Sequence, residues 1–227
     1  MPRTDIIFFK NQEDLEKIIL SSREFGYSNT FIIADFSDTD KIKSINPAQL
    51  LIRINHETFS KRSFQKQIRN KINDKIADSK YRVIVDFSDI AKDREFINKT
   101  RDVFSSKIIT GVTGLEEWGK KDSFNYKSSG MSKAICQLAV KNDIAIIFST
   151  KSILGKKGTD RSRILGRIKQ NINLCTKYKV KMAVVSFAEK PSELSSSEDM
   201  QALAEILGMN NREARDSVEC NISSKVL

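Results

Sequence analysis

Histidine occurs once in these 227 residues, as His56. A zinc site of the Cys/His type needs three or four such ligands at close spacing. His56 with the scattered Cys136, Cys175 and Cys220 cannot supply one. A Ser-His-Asp triad would have to use His56, and no nucleophile-elbow glycines accompany it. Three cysteines, odd in number and far apart, define no disulfide framework and point to a reducing, cytoplasmic compartment. Glycine and proline are scarce, at 9 and 3 residues, which excludes a turn-dense all-β fold and a low-complexity linker. No apolar run approaches the ~18 residues of a membrane span. The N-terminal MPRTDIIFF carries too short an apolar stretch for a signal peptide.

What is present is charge, unevenly placed. Lysine and arginine number 39 against 29 aspartates and glutamates. Residues 61–82 hold eight basic and two acidic side chains, and residues 151–190 hold eleven and two. Two short segments therefore carry the whole excess. A concentrated basic field attracts polyanions, and phosphate backbones are the commonest. The rival expectation is a solvated basic surface, or a scaffold whose basic faces bind an acidic protein.

Apolar β-branched runs recur at Ile6–Phe9, Phe31–Ala34, Leu50–Ile54, Val83–Val85, Ile108–Ile109, Ala145–Phe148 and Met182–Val185. Most are continuous, as in strands buried on both faces. Helical spacing appears between them over residues 12–25, 61–77, 131–142 and 161–178. Strand and helix repeating about seven times predict an α/β fold, a single TIM-like (β/α) barrel of about seven strands spanning residues 1–227. A doubly wound open sheet is the runner-up.

FIIADFSD at 31–38 is echoed by VIVDFSD at 83–89. Asp35 and Asp86 would then stand at the C-terminal ends of barrel strands, where such folds place chemistry. A divalent-metal phosphoesterase using them, with His56, is one reading; helix or turn capping is the other. Gly155-Lys156-Lys157-Gly158-Thr159 lacks the Walker spacing and is read as a loop of exposed lysines feeding a helix near Arg161. On that helix Ile164, Leu165, Ile168, Ile172 and Cys175 share one face, and Arg163, Arg167, Gln170 and Lys177 the opposite one. Residues 161–181 contain no acid at all. A second basic helix carries Arg62, Lys66 and Arg69. Near the C-terminus, Ser195 with Glu198 predicts a capping box. Met200, Leu203, Ile206 and Leu207 predict an apolar stripe, Gly208 a helix stop, and Asn210 with Glu213 a further short helix.

SRILGRIKQNINLCTKYKVKMAVVSFAEKPSEL, followed by SSEDMQALAEILGMNNREARDSV, resembles the ribonuclease P protein component 3 family, the 30-kilodalton subunit of archaeal and eukaryotic ribonuclease P. MSKAICQLAVKNDIAIIFSTKSIL is similar to an upstream segment of that family, and DIIFFKNQEDLEKIILSSREFGYSN to its opening strand and helix. This chain has Phe187 where the family pattern has a glycine, and Ser195 or Ser196 where it has an arginine.

The resemblance implies a TIM-like barrel related to metal-dependent phosphoesterases, whose several metal-binding histidines are missing here. It implies a non-catalytic, RNA-binding subunit that assists the catalytic RNA in removing the 5′ leader of precursor tRNA, with no active site on this chain. Implied partners are ribonuclease P RNA, precursor tRNA, protein component 2 and other subunits of the particle, and no membrane. Mg²⁺ serves the RNA enzyme, and the chain itself binds no cofactor. For RNA contact the resemblance points to Arg161, Arg163, Arg167, Ser186 and Lys190, and charge adds Lys156, Lys157, Lys177, Arg62, Lys66 and Arg69.

Overall fold

Each of the seven apolar runs becomes a strand: β1 (Thr4–Phe8), β2 (Asn29–Asp35), β3 (Leu50–Asn55), β4 (Arg82–Asp86), β5 (Ile109–Thr113), β6 (Ala145–Ser149) and β7 (Met182–Val185). This computed structural model describes residues 3–38, 50–55, 82–88, 96–119, 122 and 128–219. The strands form one parallel sheet in the order β1 to β7. The sheet curls until its two edges meet. The Phe187 N–H donates to the Ile6 carbonyl at 2.9 Å, and the Phe8 N–H to the Ala188 carbonyl at 2.9 Å. These bonds give the edge strands partners and make a nearly closed barrel, which is the fold the sequence predicts.

Alternation along the strands sorts the side chains. Ile6, Ile33, Leu51, Ile84, Ile147 and Val185 fill the barrel interior. Ile52, Val83, Val85, Val112, Ile146 and Val184 face outward into the larger core under the helices. Gly111 supplies space inside: a Cβ there would lie 2.6 Å from Cδ1 of the fully buried Ile147.

The helices are α1 (Gln12–Glu24), α2 (Phe96–Phe104), α3 (Lys133–Lys141), α4 (Thr150–Leu154), α5 (Gly158–Tyr178), α6 (Ser197–Ile206) and α7 (Asn211–Val218). Side-chain caps set several starts. Asn11 accepts from the Asp14 N–H at 2.8 Å, and the predicted short helix at Asn210 opens with a capping box between Asn210 and Glu213. Three expectations need correction. α2 was not foreseen, although Phe96, Thr100, Val103 and Phe104 have helical spacing; a threonine in mid-stripe and a span of nine residues weakened the signal. α6 is capped by Ser196, one residue later than predicted, through the Asp199 N–H at 3.0 Å. Its buried stripe is Met200, Ala204 and, just past its end, Leu207, whereas Ile206 is 70% exposed. The predicted helix at 61–77 with Arg62, Lys66 and Arg69, together with His56 and Cys220, lies outside the described residues. Among the described residues no helix is long and apolar enough to cross a membrane.

Candidate functional site: the barrel mouth

The last inward position of each strand falls at the C-terminal end of the barrel. Phe8, Arg53, Asp86, Thr113, Ser149 and Phe187 line a cavity of about 270 Å³ there. Ser88, Gly114, Lys151, Ser152 and Lys156 complete its rim from the following loops. This is where parallel barrels place their chemistry.

The two echoed aspartates do meet, through a residue the sequence reading did not single out. Arg53 pairs with Asp35 in a fork, Nε to Oδ1 at 2.8 Å and Nη2 to Oδ2 at 3.1 Å. Its Nη1 reaches Oδ2 of Asp86 at 3.3 Å. The guanidinium also lies 4.4 Å from the Phe8 ring centre. Register explains the meeting, since Asp35 is paired with Arg53 across β2 and β3. A divalent ion held by Asp35 and Asp86 would have to displace this internal cation. Among the described residues no group of three or more His, Cys, Asp or Glu is placed to hold a metal. Among the described residues, Asp35 and Asp86 are therefore not open donors for a metal; His56, the third residue of that reading, lies outside the described residues. The capping alternative holds in part, because Asp86 Oδ1 accepts the Ser88 N–H at 2.9 Å.

Gly114 makes that turn possible. Its φ is +75°, and a Cβ would stand 2.6 Å from the Ser88 nitrogen and 2.9 Å from Asp86 Oδ1. Gly114→Ala combines left-handed strain with a clash against backbone, and we expect a loss of about 2–4 kcal/mol. Urea unfolding checks it; a variant as stable as the parent would show that the turn relaxes without cost. Phe187 also holds a left-handed φ, +50°. This is the position where the family pattern has glycine, so the chain keeps the backbone shape while adding a ring to the mouth.

Three other mouth cations, Lys10, Lys151 and Lys156, are also paired. Lys151 and Lys10 share Glu189, whose carboxyl is held below its usual range chiefly by the Lys151 hydrogen bond. Lys156 pairs with Glu117 at 3.1 Å. Glu116 sits behind this wall, 1% exposed. Ser152 Oγ donates to its Oε1 at 3.3 Å, and burial pushes its carboxyl up to about 7.

The predicted RNA-facing residues scatter. Lys157 and Lys190 are exposed at the mouth. The Arg161 Nε donates to the carbonyls of Ile153 at 3.1 Å and Lys156 at 2.7 Å, closing the C-terminal end of α4. Arg163 pairs with Asp160 at 2.7 Å. Lys177 is exposed at the far end of α5. Ser186 is buried, its N–H donating to Asp5 Oδ1 at 2.8 Å. Arg167 is the clear correction. It is fully buried and so does not share an outward face with Arg163 and Lys177. Its Nη1 donates to the carbonyls of Glu116, Trp118 and Gly119 at 2.9, 2.7 and 3.1 Å, and its Nε to Asp122 at 2.8 Å. Burial alone would push the Asp122 carboxyl up, but the Arg167 hydrogen bond brings it below the usual range. The signal was available: Arg167 and Asn171 stand three and seven residues after Ile164, inside the apolar stripe, and all three are buried.

Cys136 and Cys175 are free, buried thiols. Burial pushes both up, Cys136 to about 11, so neither is a ready nucleophile.

The family model described as RNase P subunit p30 matches residues 122–227. The chain is 33% identical over 92 residues to ribonuclease P protein component 3 of Methanosarcina barkeri; the match covers 40% of this chain and 38% of that protein. It is 23% identical over 211 residues to ribonuclease P protein component 3 of Methanocaldococcus jannaschii, covering 90% and 82%. Among solved structures, a chain in a cryo-EM structure of archaeal ribonuclease P with mature tRNA superposes with a TM-score of 0.65 at 18% identity, covering 96% of this chain and 87% of that one. An Agrobacterium tumefaciens protein superposes at 0.52 and 7% identity, covering 96% and 90%. Both likenesses are of fold.

Proposed function

We propose, from the similarity of residues 122–227 to the RNase P subunit p30 family and of the chain to ribonuclease P protein component 3, that it is a member of that family and a non-catalytic, RNA-binding protein subunit of ribonuclease P. In this role it assists a catalytic RNA in removing the 5′ leader of precursor tRNA. The observation that carries the non-catalytic part is Arg53, which ties Asp35 and Asp86 together at the place where a barrel hydrolase would need open carboxylates. The phosphoesterase alternative would have to displace the same residue from its two aspartates. The basic excess carries the RNA-binding part: formal net charge is +10, and folded RNA gains from cations that offset phosphate repulsion.

Nothing in this role asks the chain for an acid or a base. A rigid barrel holds lysines at fixed spacing, and each phosphate they neutralise adds a salt-dependent increment of binding. Mg²⁺ belongs to the RNA enzyme in this reading. Protein component 2 and the other subunits of the particle are the protein partners, and the cytoplasm is the compartment.

Reconstitution tests the proposal. Ribonuclease P RNA and component 2 are assayed for precursor-tRNA cleavage over a Mg²⁺ series, with and without this chain. Addition is expected to lower the Mg²⁺ needed for half-maximal rate, or to raise the rate at fixed Mg²⁺. If a folded chain changes neither, the accessory-subunit reading fails.

A further inference from the structure

The basic excess of residues 151–190 folds into two poles rather than one stripe. α5 has 21 residues and is about 30 Å long at 1.5 Å per residue. Its arginines are spent locally: Arg161 on α4 carbonyls, Arg163 on Asp160, and Arg167 in the core. What remains is the exposed Lys169 in mid-helix and the lysines at the two ends, and the ends differ. At the mouth, Arg53, Lys10, Lys151 and Lys156 answer nearby carboxylates, which leaves Lys157 and Lys190 exposed without an ion pair to a described residue. At the base, where β5, β6 and β7 begin, Lys107, Lys141, Lys177 and Lys179 are exposed and make no ion pair with a described residue. A fifth base lysine, Lys181, pairs with Asp143 at 2.7 Å.

Sequence spreads these five residues over 75 positions, yet two contacts join the loops that carry them. The Lys181–Asp143 pair joins the segment before β7 to the segment before β6. Asn142 Nδ2 donates to the Phe104 carbonyl at 2.7 Å, which joins the segment before β6 to the one before β5. Arg101 and Asp102, both exposed and adjacent on α2, offset each other.

We propose that RNA docks by its phosphate backbone on the base of the barrel, through Lys107, Lys141, Lys177, Lys179 and Lys181. This rests on the RNA-binding reading above and places the contact at the end of the barrel opposite the cavity. The ligand chemistry follows from the side chains. Lysines are point charges that suit phosphates and carry no base code. Among the described residues the ring beside them is Tyr178, and Lys177 covers one of its faces, its Nζ 5.7 Å from the ring centre. Binding here is sequence-tolerant and steeply salt-dependent.

The test is fluorescence anisotropy with a labelled archaeal ribonuclease P RNA over a salt series, using the full chain. K141Q/K177Q/K179Q removes three base charges, and K10Q/K157Q/K190Q removes three at the mouth. All six side chains are exposed, so both variants should unfold at the parent temperature. The base variant is expected to lower the slope of log K against log salt by about three, one per lysine, and to weaken binding at least ~10-fold near 0.1 M salt. The mouth variant is expected to stay within about 3-fold of the parent. Equal binding by the base variant and the parent, or loss confined to the mouth variant, overturns the proposal. So does a base variant that keeps RNA but loses a protein partner. If the parent itself shows no salt-dependent RNA binding, the RNA-binding reading falls as well, and that outcome is distinct from the others.

Discussion

Arg167→Ala is expected to be the most damaging single substitution in the C-terminal half. The guanidinium is fully buried, and three carbonyls and one carboxylate depend on it. Removing it leaves Glu116, Trp118 and Gly119 with carbonyls short of a donor, Asp122 without its counter-ion, and a cavity in place of a large side chain. Breaking a buried charged network in this way costs about 3–5 kcal/mol. For a chain of this size that is roughly 10 °C in unfolding temperature. Arg167→Lys should recover less than half, because one ammonium cannot serve acceptors fanned around a planar fork. Arg163→Ala, by contrast, loses a pair with the exposed Asp160 and a weaker attraction to Asp122, and its cost should stay under about 1 kcal/mol. Thermal unfolding of the three variants decides the matter. Were Arg167→Ala to keep its stability and lose only RNA affinity, the side chain would face outward after all.

Stability should rise as pH falls from about 8 to 5.5, the reverse of the usual acid response. Two fully buried carboxyls cause this. Burial pushes Asp5 up to about 6, against hydrogen bonds from Ser186 and Ile6 that favour its charge, and pushes Glu116 up to about 7. Their ordinary values are 3.8 and 4.5. Between those values and the raised ones, the folded chain holds protons that the unfolded chain has released. Stability therefore declines as pH climbs through that window and is lowest above about 7. Each two-unit shift is worth about 3 kcal/mol, since one unit is about 1.4. Urea titrations at steps between pH 5.5 and 8.5 measure the slope. Asp5→Asn provides the internal check. Its Oδ1 can still accept the N–H groups of Ile6 and Ser186, and its amide can donate to Ser186 Oγ. The variant should be more stable than the parent at pH 8 and nearly equal at pH 5. A parent whose stability is flat or rises with pH would show that both carboxyls are ionised within the fold.

Both predictions rest on positions the sequence marks only faintly. Asp5 reads as one polar residue ahead of an apolar run. Only the seam between β1 and the segment after β7 shows that it is sealed in and bonded to Ser186, 181 residues away. Arg167 reads as one more cation in a basic helix, and the pull of composition outweighed its spacing from Ile164. Arg53 drew no notice because one arginine in an apolar strand carries no pattern. Its meaning depends on β2 and β4 lying on either side of β3, each ending in an aspartate.

The sequence by itself determined the seven strands, their parallel order around a barrel, the caps of several helices and the family likeness. These depend on local spacing and backbone preference, which a linear string records directly. The tertiary structure alone decided which charges are spent and which are left. Ion pairs form between residues brought together by the barrel's curvature, such as Arg53 with Asp35 and Asp86, or Lys151 with Glu189. Coulomb attraction depends on distance in space and on burial, and neither is written along the chain. That is why, among the described residues, one basic segment in the sequence becomes a largely paired mouth and a less paired base in the folded protein.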